Sequence, residues 1–285
     1  MNLIQDIAFI IPIHPPHYHY LYALLDKLKA NNITIDIFLV FSTEDDYNAF
    51  EMKKEIQPIM INTEINKKSI ITFKKFFALN YLIPSKYEYF ICCDAEIDIV
   101  PKNFNAENIK EKLTNIFKNK SIYAGHLNHN VDISNINKKC ATIFEDHYYE
   151  LAELTEDFML YWWYSDINVY RRADLEDFFK TIRYNEITPH LLYEHFDYII
   201  YQYYLIIKGG FTIINTSDIT GVNWSFERLY NIHNNIEPHK SIINRLSDIK
   251  YGFGWVNRIL YERNIDNIDS KGTFIIYNLD RLEYK

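Results

Sequence analysis

IAFIIPIHPP, residues 7–16, is an apolar run closed by a histidine and two prolines. From Ile7 to Ile13 no polar side chain interrupts it, and β-branched isoleucine dominates. A strand with one wet face would alternate, so this run predicts a strand buried on both faces. His14-Pro15-Pro16 stops it, because proline removes a backbone donor. Downstream, Leu21, Leu24, Leu25 and Leu28 recur at helical spacing and predict a helix from about Tyr18 to Ala30. Ile35–Phe41 (IDIFLVF) is a second buried strand. Ser42 or Thr43, followed by Glu44-Asp45-Asp46, supplies an N-cap and an acidic first turn for a helix running to about Glu55.

The alternation continues. Pro58–Asn62 reads as a short third strand, Thr72–Leu82 as a helix ended by Pro84, and Glu88–Cys93 (EYFICC) as a fourth strand leading directly into Asp94. A β-α-β-α series with short connections predicts an α/β fold: a mostly parallel central sheet, Rossmann-like, with helices on both faces. In such sheets ligands sit beyond the carboxyl ends of the strands. Further on, residues 102–117 predict a helix, Ser121–Leu127 a strand, Glu145–Met159 a helix, Trp162–Tyr170 a strand, and Gly210–Asn215 another. No composition shift marks a boundary, so residues 1–285 read as one domain: a nucleotide half over 1–100, then an acceptor half and C-terminal extension over 101–285. The 24 Tyr and 19 Phe are expected to serve packing first.

With 30 basic against 38 acidic residues the net charge is −8, which disfavours a nucleic-acid partner, since duplex binding relies on Lys and Arg neutralising phosphates. An anionic small molecule then has to be met by a local positive site. Three cysteines, Cys92, Cys93 and Cys140, form neither a disulfide framework nor a CxxC pair. No stretch reaches the roughly 18 apolar residues of a membrane span, and no basic residue precedes the first apolar run. The expectation is a soluble, cytoplasmic protein.

Asp94-Ala95-Glu96 carries the chemistry. Two carboxylates one residue apart at a strand end face the same side and can hold a divalent cation or a ribose hydroxyl. Asp98 repeats the spacing. Three acids at the mouth of a buried strand repel one another unless a cation compensates them. By itself such a triplet also describes a solvated turn; its place after the fourth strand is what raises it to a site.

Taken in order, IAFIIPIHPP, IDIFLVFS, ITFKKFFALNYL and YEYFICCDAEID resemble the nucleotide-binding half of GT-A fold glycosyltransferases, in which a D-x-D triplet follows the fourth strand. The resemblance covers residues 5–100 and, more loosely, 120–230, where WWYSDINVYRRADLEDFF is similar to the acceptor-side strand and helix. It implies transfer of a sugar from a nucleoside-diphosphate sugar to a saccharide or glycan acceptor, assisted by Mn²⁺ or Mg²⁺. It further implies that Pro12, Ile13 and His14 lie against the nucleobase and ribose, that Ser42 to Glu44 approach the base, and that Lys74 or Lys75 reaches the nucleotide. Asp94, Ala95 and Glu96 match the triplet, with Glu96 replacing the usual Asp by a longer arm. His233 and His239 stand where such enzymes often add a metal ligand.

A general base for the acceptor hydroxyl is sought among carboxylates. Asp166 neighbours Trp162, Trp163 and Tyr164, whose faces suit sugar stacking. Glu194 and Asp197 precede the apolar helix YIIYQYYLII, where either also serves simply as a helix-terminal carboxylate. Arg171 and Arg172 are candidates for a diphosphate or an anionic acceptor, or plain helix-surface charges. Two alternatives stay open: a catalytically silent carbohydrate-binding protein and a sugar nucleotidyltransferase. Against the second, His14-Pro15-Pro16-His17 occupies the place of a Gly-rich phosphate loop.

Overall fold

The computed structural model describes residues 2–99, 106–126, 131–159, 168–215, 253–256 and 274–278. At its centre lies the strand opened by the apolar run, β1 (Asn2–Pro12), paired in parallel with β2 (Ile33–Phe41) on one side and β4 (Tyr89–Cys92) on the other. Ala8 to Ile11 have no exposed surface, as a strand covered on both faces requires. β3 (Gln57–Met60) extends the sheet beyond β2 in parallel. β8 (Asn168–Arg171) closes the other side antiparallel to β4, giving the order β3-β2-β1-β4-β8.

Between strands run α1 (Tyr18–Ala30), α2 (Glu44–Ala49) and α3 (Ile70–Tyr81). The chain steps outward from β1 to β2 to β3, then α3 carries it back past β1 to β4. The strand order therefore reverses between β1 and β4, and a crevice opens at their carboxyl ends. Ile10 faces Cys92 in register and accepts a hydrogen bond from the Cys93 amide at 3.0 Å, so the segments that follow Pro12 and Cys92 leave the sheet from adjacent strands.

Thr43 is the cap of α2, its Oγ1 accepting from the Asp46 amide at 3.1 Å. The expected continuation to Glu55 does not occur. Phe50 turns extended, burying its ring against Tyr18, Tyr22 and Phe41, and only a short 3-10 turn follows at Lys53–Glu55. Burial of one large ring outweighs another helical turn.

Beyond β4 come β5 (Ile97–Ile99), α4 (Ala106–Asn119), β6 (Ser121–His126), α5 (Val131–Ala141), α6 (Tyr148–Asp157) and β7 (Phe158–Met159). After β8 follow α7 (Arg172–Thr181), α8 (Tyr184–Ile187), α9 (Asp197–Ile207) and β9 (Thr212–Asn215). β6 pairs with β7 and β9 in a small sheet, and β5 pairs with β11 (Phe274–Asn278), itself beside β10 (Phe253–Val256), in another. α9 is apolar nearly all round and is buried accordingly, with Ile199, Ile200 and Tyr203 unexposed. Phe76 of α3, Phe178 and Phe179 of α7, and Tyr201 and Tyr204 of α9 pack edge to face, so these rings serve the core. Among the described residues no helix is long and apolar enough to cross a membrane.

Candidate active site

Asp94 leaves β4 at the carboxyl end, beside the segment that leaves β1. Exposure alternates along the triplet: Asp94 and Glu96 are half-buried while Ala95 and Ile97 are buried. Asp94 lies just past β4 and Glu96 in the bend before β5, each with its side chain part-exposed. Asp98 breaks the pattern; it is buried within β5, where its Oδ1 accepts from the Ile99 amide.

Each acid has a basic side chain beside it. The Lys75 ammonium lies 3.0 Å from Asp94 Oδ1, His17 Nδ1 meets Glu96 Oε1, and Lys27 of α1 pairs with Asp98 Oδ2. The compensation expected from a metal is therefore supplied in part by Lys27 and Lys75. Among the described residues no three His, Cys, Asp or Glu side chains converge as a metal cage. Asp94 nevertheless keeps an oxygen outward: its side chain is 44% exposed while Oδ1 is buried, which leaves Oδ2 as the exposed atom. A hard cation arriving with a diphosphate needs only one or two carboxylates from the protein, and Asp94 meets that requirement.

Lys75 is buried in α3 between two carboxylates. Its Nζ donates to Asp197 Oδ1 at 3.2 Å, and Tyr170 of β8 donates to Asp197 Oδ2 at 2.6 Å. Burial alone would push the Lys75 ammonium down, but the charges of Asp197 and Asp94 overturn this and hold it above the ordinary lysine value. The Tyr170 hydroxyl is raised well above its ordinary value by burial and by Asp197, so it stays a donor. Lys74, next along the helix, takes another direction: its Nζ donates to the Ile13 carbonyl at 2.7 Å. Burial lowers it to about 8, with the charge of Asp46 opposing. Lys74 thus pins the end of β1, while Lys75 pins the end of β4.

Pro12 and Ile13 are buried in this crevice wall, and His14 is half-buried with its ring 3.8 Å from that of His17. Burial, then the nearby charges of His17 and Lys74, lower the His14 imidazole, favouring its neutral form. Ser42 is half-buried and Glu44 exposed at the start of α2.

Asp197 is the first residue of α9 and does not cap it; its carboxylate turns inward, 2% exposed, with both oxygens accepting hydrogen bonds. Glu194 lies in the preceding loop, so the two do not share a helix face. That loop is anchored, Thr72 Oγ1 donating to the His195 carbonyl and Asn66 Nδ2 to the Leu191 carbonyl. Glu194 is half-buried and makes no ion pair among the described residues. Arg171 and Arg172 sit at the far end of β4: Arg171 faces Tyr89 in register and clasps Asp174, and Arg172 donates to the Tyr87 carbonyl. Neither reaches Asp94. Asp166, His233 and His239 lie outside the described residues. Tyr170, His17 and Lys27 are site residues that sequence reasoning misses; their partners are 27, 79 and 71 positions away, and no local pattern announces them.

No protein-family model matches the chain, and no curated protein matches it. Among solved structures, a mannose-1-phosphate geranyltransferase from Thermus thermophilus is similar at 9% identity over 75% of this chain and 70% of that one, with a TM-score of 0.33. So loose a superposition carries no argument about function.

Proposed function

We propose that the chain is a GT-A type glycosyltransferase, moving a sugar from a nucleoside-diphosphate donor to a saccharide acceptor with Mn²⁺ or Mg²⁺ at Asp94. The observation that carries this reading is the place of Asp94: an outward carboxylate oxygen at the switch point of a doubly wound sheet, where nucleotides bind in such folds. The wall opposite is Pro12 to His14, a segment without a Gly-rich phosphate loop.

In this reading the cation supplies Lewis-acid stabilisation of the leaving diphosphate. Asp94 would hold it through its exposed carboxylate oxygen. His14 and Ser42 border the nucleoside, and Lys74 adds local positive charge in a protein that is acidic overall. Of Glu194 and Asp197, Glu194 has no side-chain hydrogen bond or ion pair among the described residues, whereas both oxygens of Asp197 are occupied.

The direct test incubates the protein with a panel of nucleotide sugars, with Mn²⁺ or with chelator, and measures release of nucleoside diphosphate. Release from one donor class that requires the metal is expected. Metal-independent release, or none from any donor in the presence of varied saccharide acceptors, would count against the reading.

A further inference from the structure

Tyr193 and Glu194 form the tip of a reverse turn that closes just before α9. The His195 amide donates to the Leu192 carbonyl at 3.0 Å, and the His195 ring reaches back to accept the Leu192 amide on Nδ1 at 2.7 Å. One histidine thus engages both backbone groups of Leu192. His195 is 7% exposed, and its Nε2 is buried with no hydrogen-bond partner among the described residues. Three neutral groups tether the turn: Asn66 Nδ2 donates to the Leu191 carbonyl, the Cys140 thiol to that of Glu194 at 3.4 Å, and Thr72 Oγ1 to that of His195 at 2.7 Å. The tip itself faces solvent, Tyr193 being 77% exposed.

An imidazole that accepts a backbone N–H through Nδ1 carries its single proton on Nε2. A second proton would set an Nδ1–H against the Leu192 N–H and place a charge in the interior; both penalties are relieved when the ring swings out. Burial lowers the His195 imidazole, and the Lys139 ammonium of α5 acts in the same direction, while the Lys139 backbone and the charge of Glu194 oppose them. Beside the turn, the Cys140 thiol of α5 is raised by burial and stays protonated, and Lys75 of α3 is engaged with Asp94 and Asp197.

We propose that His195 is a pH-sensitive latch: neutral, it keeps the 192–195 turn closed and presents Tyr193 and Glu194; protonated, it leaves the interior and releases them. Its bearing on Glu194 as an acceptor base rests on the glycosyltransferase reading; the latch itself does not.

Amide hydrogen exchange of the intact chain, followed by NMR, tests it. Below the ordinary histidine value of 6.5, the open turn binds a proton that the closed turn does not. Protection of the Leu192 amide, corrected for the intrinsic pH dependence of exchange, should fall by up to about tenfold per pH unit between about pH 6.5 and about pH 5, while that of Ile10 in β1 stays level. His195→Asn keeps an acceptor, Oδ1, near the place of Nδ1 but does not titrate, and its Leu192 protection should stay level. Level protection in the parent, the same fall in both proteins, or a fall shared by Ile10 overturns the latch. If His195→Asn fails to fold, the side-chain nitrogen shifts of the parent decide. An Nε2–H tautomer that persists below pH 6.5 and protonates as Leu192 protection is lost supports the latch. An Nδ1–H tautomer, or protonation of His195 with Leu192 still protected, overturns it.

Discussion

Lys74 and Lys75 are neighbours on one buried helix with opposite electrostatics. Lys75 is paired with two carboxylates; Lys74 has a carbonyl, and its ammonium is lowered to about 8. Between about pH 8 and the ordinary lysine value near 10.5 the unfolded chain binds a proton that the folded chain does not, so this group makes stability rise with pH. Relative to Lys74→Met, the parent should gain stability across that window by at most about 1.4 kcal/mol per pH unit. Urea titrations at several pH values check this, and a flat difference would show that Lys74 is not desolvated. The triplet makes a second prediction. Glu96 is already engaged by His17, whereas Asp94 keeps an open oxygen. Glu96→Ala should therefore weaken metal–nucleotide binding only about two- to threefold, less than the roughly tenfold of losing a charge-assisted contact at Asp94. Equal losses in calorimetric affinity would make Glu96 a direct ligand. Asp94 is legible in the sequence because it follows an apolar run without a break. Its partners are not, because Lys75, Tyr170 and Asp197 meet only through strand pairing and helix docking over long sequence separations.

At the scale of elements, the apolar runs place β1, β2 and β4 because a strand buried on both faces leaves a signature that few other structures share. The end of α2 is illegible for the opposite reason: residues 44–55 carry helix-compatible residues throughout, and only the tertiary docking of Phe50 stops the helix at Ala49. The cap at its start is local and readable. Thr43→Ala should cost about 1 kcal/mol, measured by denaturant unfolding. The junction after α9 is less forgiving. A Cβ at Gly209 would stand 2.7 Å from the Leu205 carbonyl oxygen and 3.0 Å from the Phe211 ring. Gly209→Ala should therefore destabilise by about 1–3 kcal/mol through overpacking, and a neutral result would mean that the turn yields easily.

Across the whole molecule, the sheet reverses direction between β1 and β4, and the acids, the two lysines and the His14 segment all gather at that reversal. Composition forecasts an acidic protein that must meet an anion locally, and the arrangement supplies the means: buried lysines to hold the loops, one outward carboxylate to hold a cation. With a single open carboxylate oxygen and no convergent cage among the described residues, metal and nucleotide should bind together and only weakly apart. The most direct measurement is a thermal-shift panel of nucleoside diphosphates with and without Mn²⁺, on the parent and on Asp94→Ala. One nucleotide with Mn²⁺ is expected to stabilise the parent, by about 2.7 kcal/mol at a hundredfold excess over Kd, while neither component alone does so and Asp94→Ala, binding about tenfold more weakly, keeps only about half of it. A metal-dependent shift that is undiminished in Asp94→Ala, or its absence from the parent with every nucleotide, would contradict the assignment of Asp94 as the anchor.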